Sequence, residues 1–343
     1  MANGIKALRQ IQMSREGNSA TTDQGAPTTD NWYVWRGTGT LQDTSVVNFV
    51  SEDVGYLSGL DRTYILFTGG ILNLEETEAN FTQIGYILDS GFYEATPTTD
   101  TGTGTGYIRT YTLPTTVAKA STDLQTYYFK AGDNNEVEEA GFGFVPEFTL
   151  SGTAGEAWKL NATYETRNVS TSTAGFEASP TLPTVEEMLF TKTTLYIDST
   201  GSTFGGTEVA STLLAAQLSV KTGWQSVHNA SGQTYFGYIK QVMPEITLNV
   251  TFEHNTSAAA EKTYWRAQTV RLIRLNIFGS ALTAAGAHTY HTLNIDLTGK
   301  WETFDKIGEQ NGNDVITGTF RARYNTTAAS FVIFTLVNET ATY

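Results

Sequence analysis

The stretch YFGYIKQVMPEITLNVTFEHNTSAAAEKTYWRAQTVRLIRLNIF, residues 235–278, decides how the rest of the chain is read. Between 245 and 253 polar and apolar residues alternate without a break. Glu245, Thr247, Asn249, Thr251 and Glu253 lie on one side, Ile246, Leu248, Val250 and Phe252 on the other. A period of two is the pattern of a strand with one face buried and the other wet. Asn255, Thr256 and Ser257 then offer side-chain oxygens to the free N–H groups that open a helix, and 258–268 is rich in helix formers. A second strand over 270–278 follows at once. The segment predicts strand, short helix, strand, with the helix laid across a sheet.

Two echoes of this phrase occur upstream. Leu72-Asn73-Leu74, followed by acidic residues and the helical pattern Phe81, Ile84, Ile87, Leu88 stopped by Gly91, resembles Leu248-Asn249-Val250 and its helix. Val145-Pro146-Glu147-Phe148-Thr149-Leu150 also resembles Met243-Pro244-Glu245-Ile246-Thr247-Leu248. Both predict one β-rich unit occurring twice, and they imply different registers.

A chain of 343 residues, 40% hydrophobic and 12% aromatic, is long enough for two ordinary domains and can bury real cores. It has no cysteine, which excludes disulfides, thiolate metal sites and cysteine nucleophiles. The first eleven residues lack the apolar run of a signal peptide and no window approaches a spanning helix, so the expectation is a soluble protein, made in the cytoplasm and without a membrane anchor. A net charge of −14 argues against a nucleic-acid binder, because neutralising phosphates takes clustered Lys and Arg. Acidic residues gather at Glu75, Glu76 and Glu78, at Asp133, Glu136, Glu138 and Glu139, and at Glu186 and Glu187. Their plain use is a solvated face that keeps the protein in solution.

Residues 1–32 carry Lys6, Arg9 and Arg15 and then the polar run 19–30, which predicts an arm suited to docking on an acidic neighbour. A first β domain is expected over 33–168, with alternation at its cleanest in 157–167. Within it the Gly/Thr loop TPTTDTGTGTG, residues 96–106, lacks the lysine of a phosphate-cradling loop. Thr101, Gly102, Thr103, Gly104 and Thr105 are better read as touching a neighbouring subunit. The Ser/Thr/Ala/Pro stretch 169–184 predicts a linker, and 185–343 a second β domain, with a hairpin turn at Asn311-Gly312 and a fully apolar strand over 331–337. The fold class is therefore all-β with a short helix per unit, built as a duplicated sandwich or barrel.

The search for chemistry finds little. The histidines are His228, His254, His288 and His291, too few and too scattered for a metal shell. Glu75 and Glu78 could be drawn as a glycosidase pair, but nothing in the sequence marks a cleft around them. No serine sits in a nucleophile elbow. Eight N-x-S/T triplets fit chance in a chain so rich in Asn and Thr. Tyr127, Tyr128, Tyr264 and Trp265 could form a sugar-stacking platform, which keeps a carbohydrate-binding or adhesin module as an alternative; core or subunit packing uses the same residues. No catalytic residue, metal or cofactor is expected.

Several segments carry a family resemblance. They are Met1-Ala2-Asn3-Gly4 with 11–16, the run DVGYLSGLDRTY at 53–64, the strand and helix of 72–88, the course from Gly223-Trp224 through Tyr235-Phe236 to Leu248, residues 258–274, and LNIDLTGKWETFDKIGE at 293–309. Together with the Ala328-Ala329 region they resemble the tail tube, or major tail, protein of long-tailed bacteriophages. The loop near Thr101 and the insertion 19–30 depart from that pattern. The resemblance implies a structural, non-enzymatic virion protein whose β units stand side by side in rings, stacked into a hollow tube around a tape measure protein, bounded by tail tip and terminator proteins, through which DNA passes without specific binding. Six units commonly complete a ring, so a chain with two would close as a trimer of pseudo-sixfold symmetry, and a chain counted as one unit as a hexamer. A bore lined with carboxylates would repel phosphates. The residues expected to face it are Asn73, Glu75 and Thr77, and Glu245, Thr247, Asn249, Thr251 and Glu253. Lys6, Arg9 and Arg15 and the 101–105 loop are the expected contacts between subunits or rings.

Overall fold

The structure is a computed structural model and describes residues 4–17, 31–113, 117–310 and 312–343. Met1 to Asn3, the polar run 19–30 and Asn311 of the expected hairpin turn lie outside the described residues. The first half contains β1 (Gln10–Arg15), β2 (Tyr33–Val34), β3 (Gly39–Asp43), β4 (Val46–Phe49), β5 (Thr63–Phe67), β6 (Gly70–Glu78), α1 (Gln83–Gly91), β7 (Thr98–Thr99), β8 (Tyr107–Thr112), β9 (Tyr127–Gly132), β10 (Val137–Thr153), β11 (Lys159–Thr166) and β12 (Val169–Thr171). The second contains β13 (Thr193–Ser199), β14 (Leu213–Lys221), β15 (Trp224–Val227), β16 (Tyr238–Gln241), β17 (Glu245–Glu253), α2 (Thr256–Arg266), β18 (Arg271–Ala281), β19 (Tyr290–Phe304), β20 (Gly308–Gln310), β21 (Asn313–Ala322) and β22 (Val332–Asn338). The chain is thus all-β with two short α-helices, in large antiparallel sheets. No helix among the described residues is long and apolar enough to cross a membrane.

The opening stretch behaves as its pattern requires. Along β17 every apolar residue is buried and every polar one at least partly exposed. The Asn255 side chain accepts from the N–H groups of Ser257 and Ala258, at 3.0 and 3.1 Å, and starts α2. In α1 all nine residues are buried, so this helix lies inside the molecule, packed against β10, rather than half out of it.

The strands of the first half pair in the order β3–β6–β11–β10, and those of the second in the order β14–β17–β21–β19. The long strands β10 and β19 each bend. The first part of β10 takes β9 and β12 as partners, its second part β11; β19 is flanked in the same way by β18 and β22, then β21. β1 covers the far edge of β9, and β13 that of β18. β10 also pairs with β14, from Glu147 opposite Lys221 to Thr153 opposite Ala215, which makes one sheet of both halves. β8 pairs with β22 across the same divide.

Three expectations change. Residues 1–32 are not simply an arm, because β1 is a core strand with Ile11 and Met13 buried. Residues 169–184 do not hang free between two bodies: β12 pairs with β10, and Thr181 exchanges backbone hydrogen bonds with Trp32 and Val34. One hydrophobic core runs from Ile11 to Tyr343, so 33–168 and 185–343 share an interior instead of owning separate ones.

Candidate functional site

The broadest feature is a polar sheet face. Residues directly opposite in antiparallel strands point to the same side, so the registers define the face. It runs from Thr40 on β3 through Asn73, Thr163, Glu147, Lys221, Glu245 and Arg321 to Lys300 on β19. Its middle is a carpet of short uncharged side chains, among them Thr149, Asn161, Ser151, Ser219, Gln217, Thr247, Asn249, Thr251, Thr317 and Thr319. Thr319 donates to Asn249 at 2.8 Å and Thr251 bonds Thr317 at 3.0 Å, so the strands are laced across the wet side as well. The other face carries Leu72, Leu74, Leu150, Leu160, Leu218, Leu248 and Phe320, all buried.

Three cations on or beside this face, Arg321, Lys221 and Lys159, meet carboxylates. Arg321 meets Glu245 at 2.5 Å and Glu302 at 2.8 Å, and these partners hold its guanidinium pKa up. Lys221 lies 3.9 Å from Glu245, and Lys159 lies 3.3 Å from Glu76 and 3.8 Å from Glu156. Lys300, opposite Arg321, forms no ion pair among the described residues. Glu75, Glu147 and Glu253 are exposed and form no ion pair among the described residues, although Glu147 stands opposite Lys221.

Of the eight residues expected to line a bore, Asn73, Glu245, Thr247, Asn249, Thr251 and Glu253 share this face, and Glu75 is exposed beside it. Thr77 does not share it. The register of β6 against β11 slips between Leu74 and Thr77, which sets Thr77 opposite buried Leu160 on the other side.

The expected contact residues divide. Lys6 and Arg9 are exposed and line a cleft of about 700 Å³ between β1, β3 and β9, together with Glu75, Asp133, Glu136 and Glu138. Arg15 is committed inside the subunit, to Glu94 and to Gln125 at 2.6 Å. The loop 101–105 rests on residues 282–289: Thr105 bonds Ala284 and Glu339, while Asp100 takes the N–H groups of Ala287 and His288. Thr101, Gly102 and Thr103 remain exposed and Gly104 half-buried.

The sequence places strands at 45–51 and 62–67; what it does not show is that the hairpin they form, β4–β5, turns its apolar side chains outward. Its pairing is confined to its own two strands. It exposes Val46, Val47, Phe49, Tyr64, Ile65 and Leu66, and its connecting loop exposes Val54, Tyr56, Leu57 and Leu60. Phe49 is 75% exposed and Leu57 fully so. The signal was present in an apolar strand pattern at 62–67, but alternation there cannot tell a strand facing the core from one facing a partner. In the other such hairpin, β15–β16, and its loop most large apolar residues are covered: Trp224, Phe236 and Ile239 pack with Leu124, Phe142 and Phe144, while Tyr238 is exposed.

His288 lies 3.4 Å from Asp100 and His291 3.3 Å from Glu186. Among the described residues no three His, Asp or Glu gather as a metal shell. Asp89, sealed among Tyr86, Tyr111, Tyr127 and Tyr164, accepts from the Tyr111 hydroxyl at 2.6 Å, and burial pushes its pKa up to about 7. Of the aromatics that could have formed a sugar platform, Tyr127 is buried, Tyr128 meets Trp32 edge to face, Trp265 packs on Phe304, and Arg271 covers Tyr264 at 4.2 Å. No family model and no curated protein matches the sequence.

Proposed function

We propose that the chain is a phage tail tube protein: a structural, non-catalytic virion component that forms stacked rings around a tape measure protein and conducts DNA. The observation that carries the assembly is the hairpin β4–β5. Ten large apolar side chains on one isolated projection are costly in water and are the mark of a surface that another chain covers. The common strand order of the two halves supports a duplicated unit of the tail-tube type. The register of that duplication follows the first echo, in which β6 corresponds to β17, because each is the strand that enters a helix and each sits between the same two neighbours. The Val145 echo matches strands that differ in sheet position.

Two units per chain make three copies per ring the natural count. The polar face is the bore wall in this reading. Short hydroxyl and amide side chains, with Arg321, Lys221 and Lys159 beside carboxylates and Lys300 left as a single unpaired cation among the described residues of this face, give phosphates no multidentate grip, so DNA slides without being held. The purified protein, concentrated and viewed by negative-stain microscopy, is expected to show rings or filaments of uniform bore. A monomer at every concentration would sink the reading. Phe49→Asp with Leu57→Asp, both at exposed positions, should leave the far-ultraviolet circular dichroism unchanged and abolish the filaments.

A further inference from the structure

The sheet that carries the polar face crosses from one half to the other at β10 against β14, and leaves the matching edges without a strand partner at its two ends among the described residues. β3, the counterpart of β14, has β6 on one side and no strand on the other among the described residues. β20 continues the line of β19 along β21, so the two together are the counterpart of the second part of β10. Beyond Gly299 their outer edge has no strand against it among the described residues. A subunit that carries both halves of a junction it already uses once is built to bond head to tail, and head-to-tail contacts give rings where the rotation closes and open filaments where it does not. Open edges of this kind also invite pairing.

The register of the missing contact follows from the internal one. Leu72 of β6 corresponds to Leu248 of β17; Leu41 stands opposite Leu72 as Leu218 stands opposite Leu248. Ala162 opposite Leu74 corresponds to Gly318 opposite Val250, which equates Lys159 with Val315 three residues back. Ser151 lies opposite Lys159 and Gly308 opposite Val315, so Gly308 takes the place of Ser151 and Ile307 that of Leu150. Inside the subunit Leu150 faces Leu218 and Ser151 faces Gln217, for which Thr40 is the counterpart. We propose that β3 of one copy adds antiparallel to the β19–β20 edge of the next, with Leu41 opposite Ile307 and Thr40 opposite Gly308.

The side chains agree with that register. Leu150 and Leu218 are both fully buried at the internal junction, whereas Ile307 is 49% exposed and Leu41, at the margin of the core, is only half-buried. The contact brings the two apolar residues together on the core side and continues the polar face from one subunit into the next. It rests on the ring reading, and the test separates the two.

Because the chain has no cysteine, a Thr40→Cys, Gly308→Cys variant reports on one contact alone. A disulfide needs Cα atoms about 4.4–6.8 Å apart, which directly opposed strand residues satisfy. Both positions are exposed, and the Cβ added at Gly308 meets Val315 at an ordinary 3.6 Å. Oxidation of the concentrated protein should give a ladder of covalently linked copies on a non-reducing gel, while Thr40→Cys paired with Thr194→Cys on β13 should give none. Tubes in the microscope with no ladder overturn the register and leave the tube reading standing. A ladder without tubes keeps the pairing and sinks the tube. Ile307→Asp gives an independent reading: an unchanged melting temperature with at least a tenfold rise in the concentration needed for assembly is expected, and unchanged assembly counts against the contact.

Discussion

Asp89 is a buried carboxyl whose environment departs far from its ordinary one. Its carboxyl ionises at about 7 in the fold, against 3.8 as its ordinary value. A carboxyl raised in this way contributes stability that is fully present below pH 4 and is lost as pH rises to about 7, because the unfolded chain releases the proton first. A difference of that size corresponds to about 4 kcal/mol at most. Asp89→Asn keeps Oδ1 as acceptor for Tyr111 and for the Ala95 N–H and has no proton to lose. Melting temperatures across pH 4–8 should show a wild-type decline that is shallower in the variant, and two parallel curves would refute the assignment. Gly85 supplies a second prediction. A Cβ there would lie 2.0 Å from the Tyr343 ring, which is buried against α1. Alanine usually gains about 1 kcal/mol over glycine within a helix. Gly85→Ala should instead lower the urea midpoint, by displacing Tyr343 from Arg109 and Asn338.

At the scale of elements, α2 depends on its first residue. Asn255 accepts two backbone N–H groups and its amide donates to Thr212 at 2.8 Å, so Asn255→Ala should cost about 1–2 kcal/mol in chemical denaturation. That cap, and the alternation of β17, were legible because each is set by neighbours in sequence. β1 was not: its buried Ile11 and Met13 sit in a short run beside a polar stretch, and only pairing with β9 at long range makes them core. Thr77 was misplaced for a similar reason, since a slipped register leaves no mark in the sequence. The 169–184 stretch has the composition of a spacer, yet its backbone hydrogen bonds go to the first half of the molecule. Local pattern gave the strands of the polar face; their order, and the edges left open, came from contacts between residues far apart in the chain.

For the whole molecule the central quantity is charge, −14 over 343 residues, and where it is placed. An acidic protein repels DNA everywhere; a tube needs that repulsion only on the inside, close enough to act within a screening length of about 8–10 Å. Glu75, Glu147 and Glu253 are exposed carboxylates on or beside the polar face that form no ion pair among the described residues, so they can be changed without breaking one. Replacing all three with lysine changes each subunit by six charges, since each substitution removes one negative charge and adds one positive. Assembled wild-type protein should retain no duplex DNA at 50 mM salt. The triple variant should retain it, with an affinity that falls by about 0.9 log units per log unit of salt for every phosphate neutralised. A lysine exchange at Glu187 and Glu208, exposed carboxylates that are on no strand of this face and form no ion pair among the described residues, should leave assembled tubes unable to hold DNA in the bore; any retained DNA would sit outside and be removed by nuclease. If both sets behaved alike, with equal nuclease protection, the polar face would not be the wall that the genome meets.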